Sequence, residues 1–420
     1  MKVDVLRKKM VRPAHGAILD RVGKLKLSCI DRLQFPGYGP FVFFFNATGL
    51  TREWMLSEGV DRLEKSLSEV LTLFYPLAGR YCEEDSLVRC NDEGVEFVVT
   101  TVDAELGQLL RQRFNPEMIR GLSIYRSNLA GDSPLVAIQV NVFECGGLAI
   151  NISVSHLMGD MQAISMFMNS WAVASRDGVR RVTVHPDFNS SVRFPSLEGM
   201  RVRVPPPKTG KKFVMHMFRF DEGSLRNDFG ASRVVMVSAL ISTAILNSVD
   251  RARNRQLPHS FSVVHSINLR GKTGSPIATD YFGNMVTHAV IRSTVSNDAA
   301  LELSRMADLI RIGLSDARGK YSKVTSDEEI CSMVVKDRED MFRDSGSRLV
   351  LFSSWCRFPL YENDFGWGKP EMVTSISMPF RVAYLMDRKS DKGIDALISL
   401  SEDDMMLFKR DPNIISSSLF

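Results

Sequence analysis

Hydrophobic positions fall along the chain in two rhythms, and each marks a kind of element. Between Trp54 and Phe74, residues Leu63, Leu67, Val70, Leu71 and Phe74 recur at spacings of three and four, predicting one helix with a single buried stripe. Tyr75-Pro76 ends it, and Leu77-Ala78-Gly79-Arg80 turns the chain. Leu25 to Ile30 and Phe41 to Asn46 read as strands split by the loop Phe35 to Pro40, and Leu87 to Val99 as a hairpin about Asn91-Asp92-Glu93-Gly94. The clearest hairpin pairs Leu135 to Phe143 with Leu148 to Val154 through Gly146-Gly147. After Asp160, residues Ile164, Phe167, Met168 and Trp171 stand at i, i+3, i+4 and i+7, an amphipathic helix.

The pattern lapses from about Arg176 to Lys212, where Pro186, Pro195, Pro205, Pro206, Pro207, Gly199 and Gly210 fall. This stretch is read as a linker, giving an N-terminal domain 1–175, a crossover 176–212 and a C-terminal domain 213–420. The second half predicts strands over Phe213 to Phe220, Phe261 to Asn268 and Met285 to Ile291, with helices over Val234 to Val249 and Asn297 to Leu314. A polar span precedes the apolar run Leu349 to Trp355. Ala383 to Met386 and Ile394 to Leu400 predict a closing hairpin, and Asp403 to Lys409 a short helix. Strands and helices mixed in both halves predict an α/β protein.

Composition removes whole classes of function. The 420 residues are 44% apolar and 24% charged, ordinary globular material. A net charge of +4 from 53 basic and 49 acidic residues gives no reason to expect a nucleic-acid or membrane partner. No apolar run reaches the ~18 residues of a membrane span, and Met1 to Pro13 is basic without a signal-peptide core, so a cytoplasmic location is expected. Cys29, Cys82, Cys90, Cys145, Cys331 and Cys356 lie far apart with no C-x-x-C pair, so reduced thiols are expected.

The residues that could carry chemistry centre on His156. It follows the strand Leu148 to Val154 and precedes Gly159, Asp160 and a helix. A lone histidine at a strand end fits a core or edge role. A neutral imidazole there also fits a general base. Gly159 permits close backbone approach, and Asp160 can cap the helix or pair with a cation. His15, His185, His216, His259, His265 and His288 have no histidine partner at i+3 or i+4, and no metal site is expected. There is no G-x-S-x-G elbow, and neither Gly37-Tyr38-Gly39 nor Gly271-Lys272-Thr273 completes a nucleotide-binding loop. Asp364-Phe365-Gly366-Trp367-Gly368 fits either an aromatic-filled turn or a loop whose Trp367 N–H faces a developing oxyanion.

His156-Leu157-Met158-Gly159-Asp160 followed by Asp364 to Gly368 resembles the H-x-x-x-D and D-F-G-W-G pair of the plant BAHD acyltransferases. The resemblance extends through Tyr75 to Arg80, Phe143 to Gly147, Asn268-Leu269-Arg270, Phe282-Gly283-Asn284 and Ser354 to Arg357, essentially the whole chain. Its flavour is that of the subgroup of vinorine synthase, alcohol acetyltransferases and acylsugar acyltransferases. Leu157-Met158-Gly159 departs from the motif interior of the family's alkaloid enzymes, as Val237 to Thr243 departs from a frequent Trp-Lys.

The resemblance implies two similar-sized mixed-sheet domains of the chloramphenicol-acetyltransferase-like type, joined by a long crossover loop. Acyl-CoA is implied as co-substrate, with no permanently bound cofactor and a small-molecule alcohol as acceptor. His156 would be the catalytic base, in a ternary complex without an acyl-enzyme. Asp160, with Gly159 and Gly366, would support the site, and Arg270 would pair with Asp160. The loop would shape the CoA side, with Trp367 as oxyanion donor and Asp364 either catalytic or structural. Met158, Met161, Phe35 and Phe380 are candidates for the acceptor pocket. A monomeric acyltransferase of plant specialised metabolism, moving acetyl or a short acyl chain, is expected. A non-catalytic ligand-binding relative and a hydrolase are the alternatives.

Overall fold

The computed structural model describes residues 1–14, 23–111, 120–129, 131–196, 211–223, 225, 230–250, 260–294, 302–343, 348–376 and 378–418. Two six-stranded mixed sheets organise them. The first runs, edge to edge, through Val3–Val11, Val95–Val102, Val136–Phe143, Leu148–Ser155, Tyr38–Phe45 and Met372–Thr374. Only Val95–Val102 and Val136–Phe143 are parallel neighbours. Every residue of the two hairpin strands Val136–Phe143 and Leu148–Ser155 is buried. The polar side chains among them, Gln139, Asn141, Asn151 and Ser153, are satisfied there by backbone carbonyls, as burial on both faces requires. The helices Val60–Leu73 and Met161–Asp177 pack into the same core, where Trp171 Nε1 donates to Leu63 O and Ser66 Oγ, each at 3.1 Å.

The second sheet runs Val286–Thr294, Ser260–Asn268, Arg348–Ser354, Val382–Asp387, Ile394–Ser401, Phe213–Phe220. Its core takes in the helices over Arg233–Asp250 and Leu303–Ser322. Arg233–Asp250 is long and apolar enough to cross a membrane, although the sequence reading found no such run; 78% of it is buried inside the fold. The halves interlock. Met372–Thr374, from the second, adds antiparallel to Tyr38–Phe45 at the edge of the first sheet.

Several elements differ from the sequence reading. Of Leu25 to Ile30 only the start is strand, within Lys24–Lys26. Ser28 and Asp31 form a reciprocal capping box that starts the helix Cys29–Arg32 instead. Leu87 to Val99 is not a hairpin. Leu87–Arg89 joins a small sheet with Lys24–Lys26 and Arg80–Cys82, whereas Val95–Val102 enters the first large sheet. The polar span before Leu349 contains the 17-residue helix Asp327–Arg343. It packs on Cys29–Arg32, and Cys29 and Cys331 form a disulfide with Cα atoms 6.5 Å apart, where reduced thiols were expected. Within the expected linker, Ser190–Arg193 is a short helix and Asp187 bridges to Tyr281. Residues 197–210 of that linker, residues 297–301 of the Asn297 to Leu314 reading, and His15 and His259 lie outside the described residues.

Trp171→Ala removes a fully buried ring and its two hydrogen bonds. It is expected to cost about 3–5 kcal/mol in urea unfolding; a loss under about 1 kcal/mol would contradict this packing.

Candidate active site

The strand Leu148–Ser155 ends at a turn fixed from both sides. His156 N donates to Gly37 O at 3.1 Å, and Met158 N to Ser155 O at 2.9 Å. Asp160 then caps the helix Met161–Asp177, its Oδ1 accepting from Ala163 N at 3.1 Å. A Cβ at Gly159 would stand 2.7 Å from Ala163 Cβ, so the close turn requires glycine there.

The tautomer of His156 follows from its partners. Asn284 Nδ2 donates to Asp31 Oδ1 at 2.9 Å and to His156 O at 2.8 Å. Those two acceptors orient the amide, so its Oδ1, 3.1 Å from His156 Nδ1, is an acceptor. Nδ1 therefore carries the proton and Nε2 keeps its lone pair. Asp31 also accepts from Asn284 N at 2.7 Å, Ser28 Oγ at 2.6 Å and Ser28 N at 3.0 Å. Burial pushes the Asp31 carboxyl up, and these donors work against that shift. Gly283 makes room: at φ +138°, a Cβ there would lie 3.3 Å from Asp31 Oδ1.

Asp160 has a second partner. Its Oδ2 accepts from Arg270 Nη1 at 2.7 Å and Met285 N at 2.9 Å. Arg270 is held in turn by the carbonyls of Tyr281 and Gly283. This buried ion pair crosses between the halves, with its carboxylate committed away from the imidazole.

His156 opens on a cavity of about 200 Å³ between the halves, walled by both sheets and by the helix Asp327–Arg343. Phe35, Met161 and Phe380 line it as expected. Met158 does not; it is buried in the first core. Burial chiefly holds the His156 pKa below its ordinary value, aided by the Arg338 cation and opposed by Asp160 and Asn284. The imidazole is thus neutral at pH 7.

The Asp364–Gly368 loop lies elsewhere. Asp364 Oδ1 accepts from Gly366 N at 2.8 Å and Gly368 N at 3.0 Å, and Ser175 Oγ donates to Phe365 O at 3.0 Å. A Cβ at Gly366, φ +107°, would strike the Arg62 guanidinium, which also lies 5.9 Å from the Trp367 ring. Ser175 is 15 residues beyond Asp160, about 22 Å along a helix. Trp367 packs edge-on to Phe45, which pairs with Leu148 at the opposite end of the sheet from Ser155. The expected roles of Trp367 as oxyanion donor and Asp364 as a catalytic group are therefore corrected. The aspartate ties two amides of its own loop, and the aromatics anchor that loop to the sheet and helix.

Sequence reasoning singled out neither Asp31 nor Arg338, and took Asn284 and His288 no further. Asn284 lay in a quoted motif without a role. Arg338 had a signal: a charged residue inside the buried stripe Ile330, Val334, Met341.

Fold and site define a two-sheet class with a neutral histidine lining a cavity between the halves. The family model described as "Transferase family" matches residues 1–221 and 219–414. The chain belongs to this family, the BAHD acyltransferases. It is 34% identical to an acetyl-CoA-benzylalcohol acetyltransferase of Clarkia breweri, over 99% of each chain. It is 30% identical to vinorine synthase of Rauvolfia serpentina, over 91% of this chain and 90% of the relative. The crystal structure of vinorine synthase superposes with a TM-score of 0.84 at 28% identity, over 99% of this chain and 98% of that one.

Asp160→Ala leaves Arg270 buried and uncompensated, and is expected to cost about 3–5 kcal/mol of stability in denaturant unfolding. Because the His156 pKa is depressed, the basic form persists at neutral pH. kcat/KM should be level at pH 7 and fall only below about 6.5; a limb above pH 7 would contradict the buried, neutral base. Stability should follow the same sign. Burial also depresses His216 to about 4 and lowers His288 well below its ordinary value. Their contribution is full above the unfolded pKa of about 6.5 and is lost as pH falls toward the folded values.

Proposed function

We infer that this chain is an acyl-CoA-dependent O-acyltransferase that moves an acetyl or short acyl group to a hydroxyl of a plant specialised metabolite. The observation that carries the reading is the neutral imidazole of His156, protonated at Nδ1 by its bond to Asn284, with Nε2 left for the cavity. Nε2 takes the proton from the acceptor hydroxyl as its oxygen attacks the thioester carbonyl. The tetrahedral intermediate collapses, the carbon–sulfur bond breaks, and the imidazolium returns the proton to the departing CoA thiolate. Both substrates are held together, so no acyl-enzyme forms. We propose further that the protein works as a cytoplasmic monomer without a resident cofactor; light scattering and a fluorescent fusion in plant cells test the first two points.

His156→Ala should lower CoA release on the order of 10²–10⁴-fold, whereas Asp364→Asn should keep most of kcat and lose stability. Unchanged turnover in His156→Ala would overturn the reading and favour a ligand-binding relative. Ester should form only with acceptor present; free acid at the same rate without acceptor would mean a hydrolase.

A further inference from the structure

One cation in the cavity wall is used by no step above. Arg338 lies on the helix Asp327–Arg343, 7% exposed, and faces the cavity with His156 and His288. Its Nη1 is 3.5 Å from His288 Nε2 and 3.9 Å from Met341 Sδ, both weak partners. Its Nε is buried with no hydrogen-bond partner. The Phe342 ring lies 5.1 Å from the guanidinium carbon.

Among the described residues no carboxylate answers this charge. The acids beside it on the helix are engaged elsewhere: Asp337 accepts from Thr287 Oγ1 at 2.9 Å and Tyr321 OH at 2.7 Å, and Asp340 pairs with Arg343 at 2.7 Å. Asp160, the carboxylate beside His156, is held by Arg270. Elsewhere the fold pairs its buried guanidinium groups, Arg270 with Asp160 at 2.7 Å and Arg80 with Glu93 at 3.0 Å, and the partly buried Arg381 with Asp250 at 3.1 Å and Asp404 at 3.0 Å. Burial alone brings the Arg338 pKa down to about 10, so the group is still a cation at pH 7. A desolvated guanidinium without a counter-charge is costly. An anionic ligand that enters removes the cost and meets a planar fork shaped for two oxygens.

We propose that Arg338 is the anion-recognition residue of the substrate cavity, and that one of the two substrates carries a carboxylate, either on the acceptor alcohol or at the far end of a dicarboxylic acyl chain. This rests on the acyltransferase reading and narrows its substrate class. The carboxylate oxygens accept from Nε and Nη of Arg338 while the hydroxyl or thioester lies at His156. The contact selects among substrates and takes no part in proton transfer.

Two matched pairs separate the sources of charge. With acetyl-CoA, benzyl alcohol is compared with 4-(hydroxymethyl)benzoate; with benzyl alcohol, acetyl-CoA is compared with malonyl-CoA. In wild type the carboxylate member of one pair should show the higher kcat/KM. Arg338→Gln should lower the charged-to-neutral ratio in that pair by about 100-fold, mostly through KM, and Arg338→Lys should restore part of it. A neutral preference in both pairs, or an equal loss of both members of a pair in Arg338→Gln, would overturn the proposal. Calorimetry of wild type with 4-(hydroxymethyl)benzoate and malonate, against 1,4-benzenedimethanol and malonamide, reads the site without turnover and without the variant. Tighter binding of either anion than of its neutral partner supports it, and neutral compounds binding as well in both pairs overturn it. Failure of the acyltransferase reading looks different: no His156-dependent CoA release from any pair, whatever the binding order.

Discussion

Asn284 has two N–H bonds and one carbonyl oxygen, and the fold commits all three. Asp31 takes one hydrogen and the His156 carbonyl the other, so the oxygen is left to face Nδ1. The donors come from the second half of the chain and both acceptors from the first. The imidazole therefore acquires its tautomer only when the halves are docked. The Asp160–Arg270 pair crosses the same seam a few residues away. Loosening either link would change the base itself as well as the shape of its cavity.

The helix Met161–Asp177 connects this seam to the far end of the molecule. Asp160 caps its start and the Asp364–Gly368 loop holds its end through Ser175. Phe365 stacks edge-on to Trp171 of the same helix and to Phe45 of the first sheet. Both family motifs thus act on one rod. The first places the histidine at one end, and the second fixes the other end against the sheet, where its distance from the reacting atoms rules out direct chemistry.

The central elements were legible because they are long and strongly patterned. The Val136–Phe143 and Leu148–Ser155 hairpin, the helix after Asp160 and the closing hairpin all follow from apolar runs of the right length. Cys29–Arg32 was misread because a capping box overrode an apolar β-prone stretch. Asp327–Arg343 was missed because its buried stripe is narrow and interrupted by Arg338 itself. At the site, His156, Asp160 and Arg270 could be named from sequence and family resemblance. Asp31 could not be joined to His156, since they meet only through Asn284, distant from both in sequence. Trp367 was drawn toward the reaction by its N–H, and register with Phe45 and Leu148 placed it elsewhere.

The account turns on a neutral His156 with its proton on Nδ1 and a free Nε2. Nitrogen NMR of protein labelled at the imidazole nitrogens, with the signals assigned by their loss in His156→Gln, tests this directly at pH 7. The account predicts a protonated Nδ1 that shifts in Asn284→Leu, together with an unprotonated Nε2. A proton on Nε2, or on both nitrogens, would contradict it.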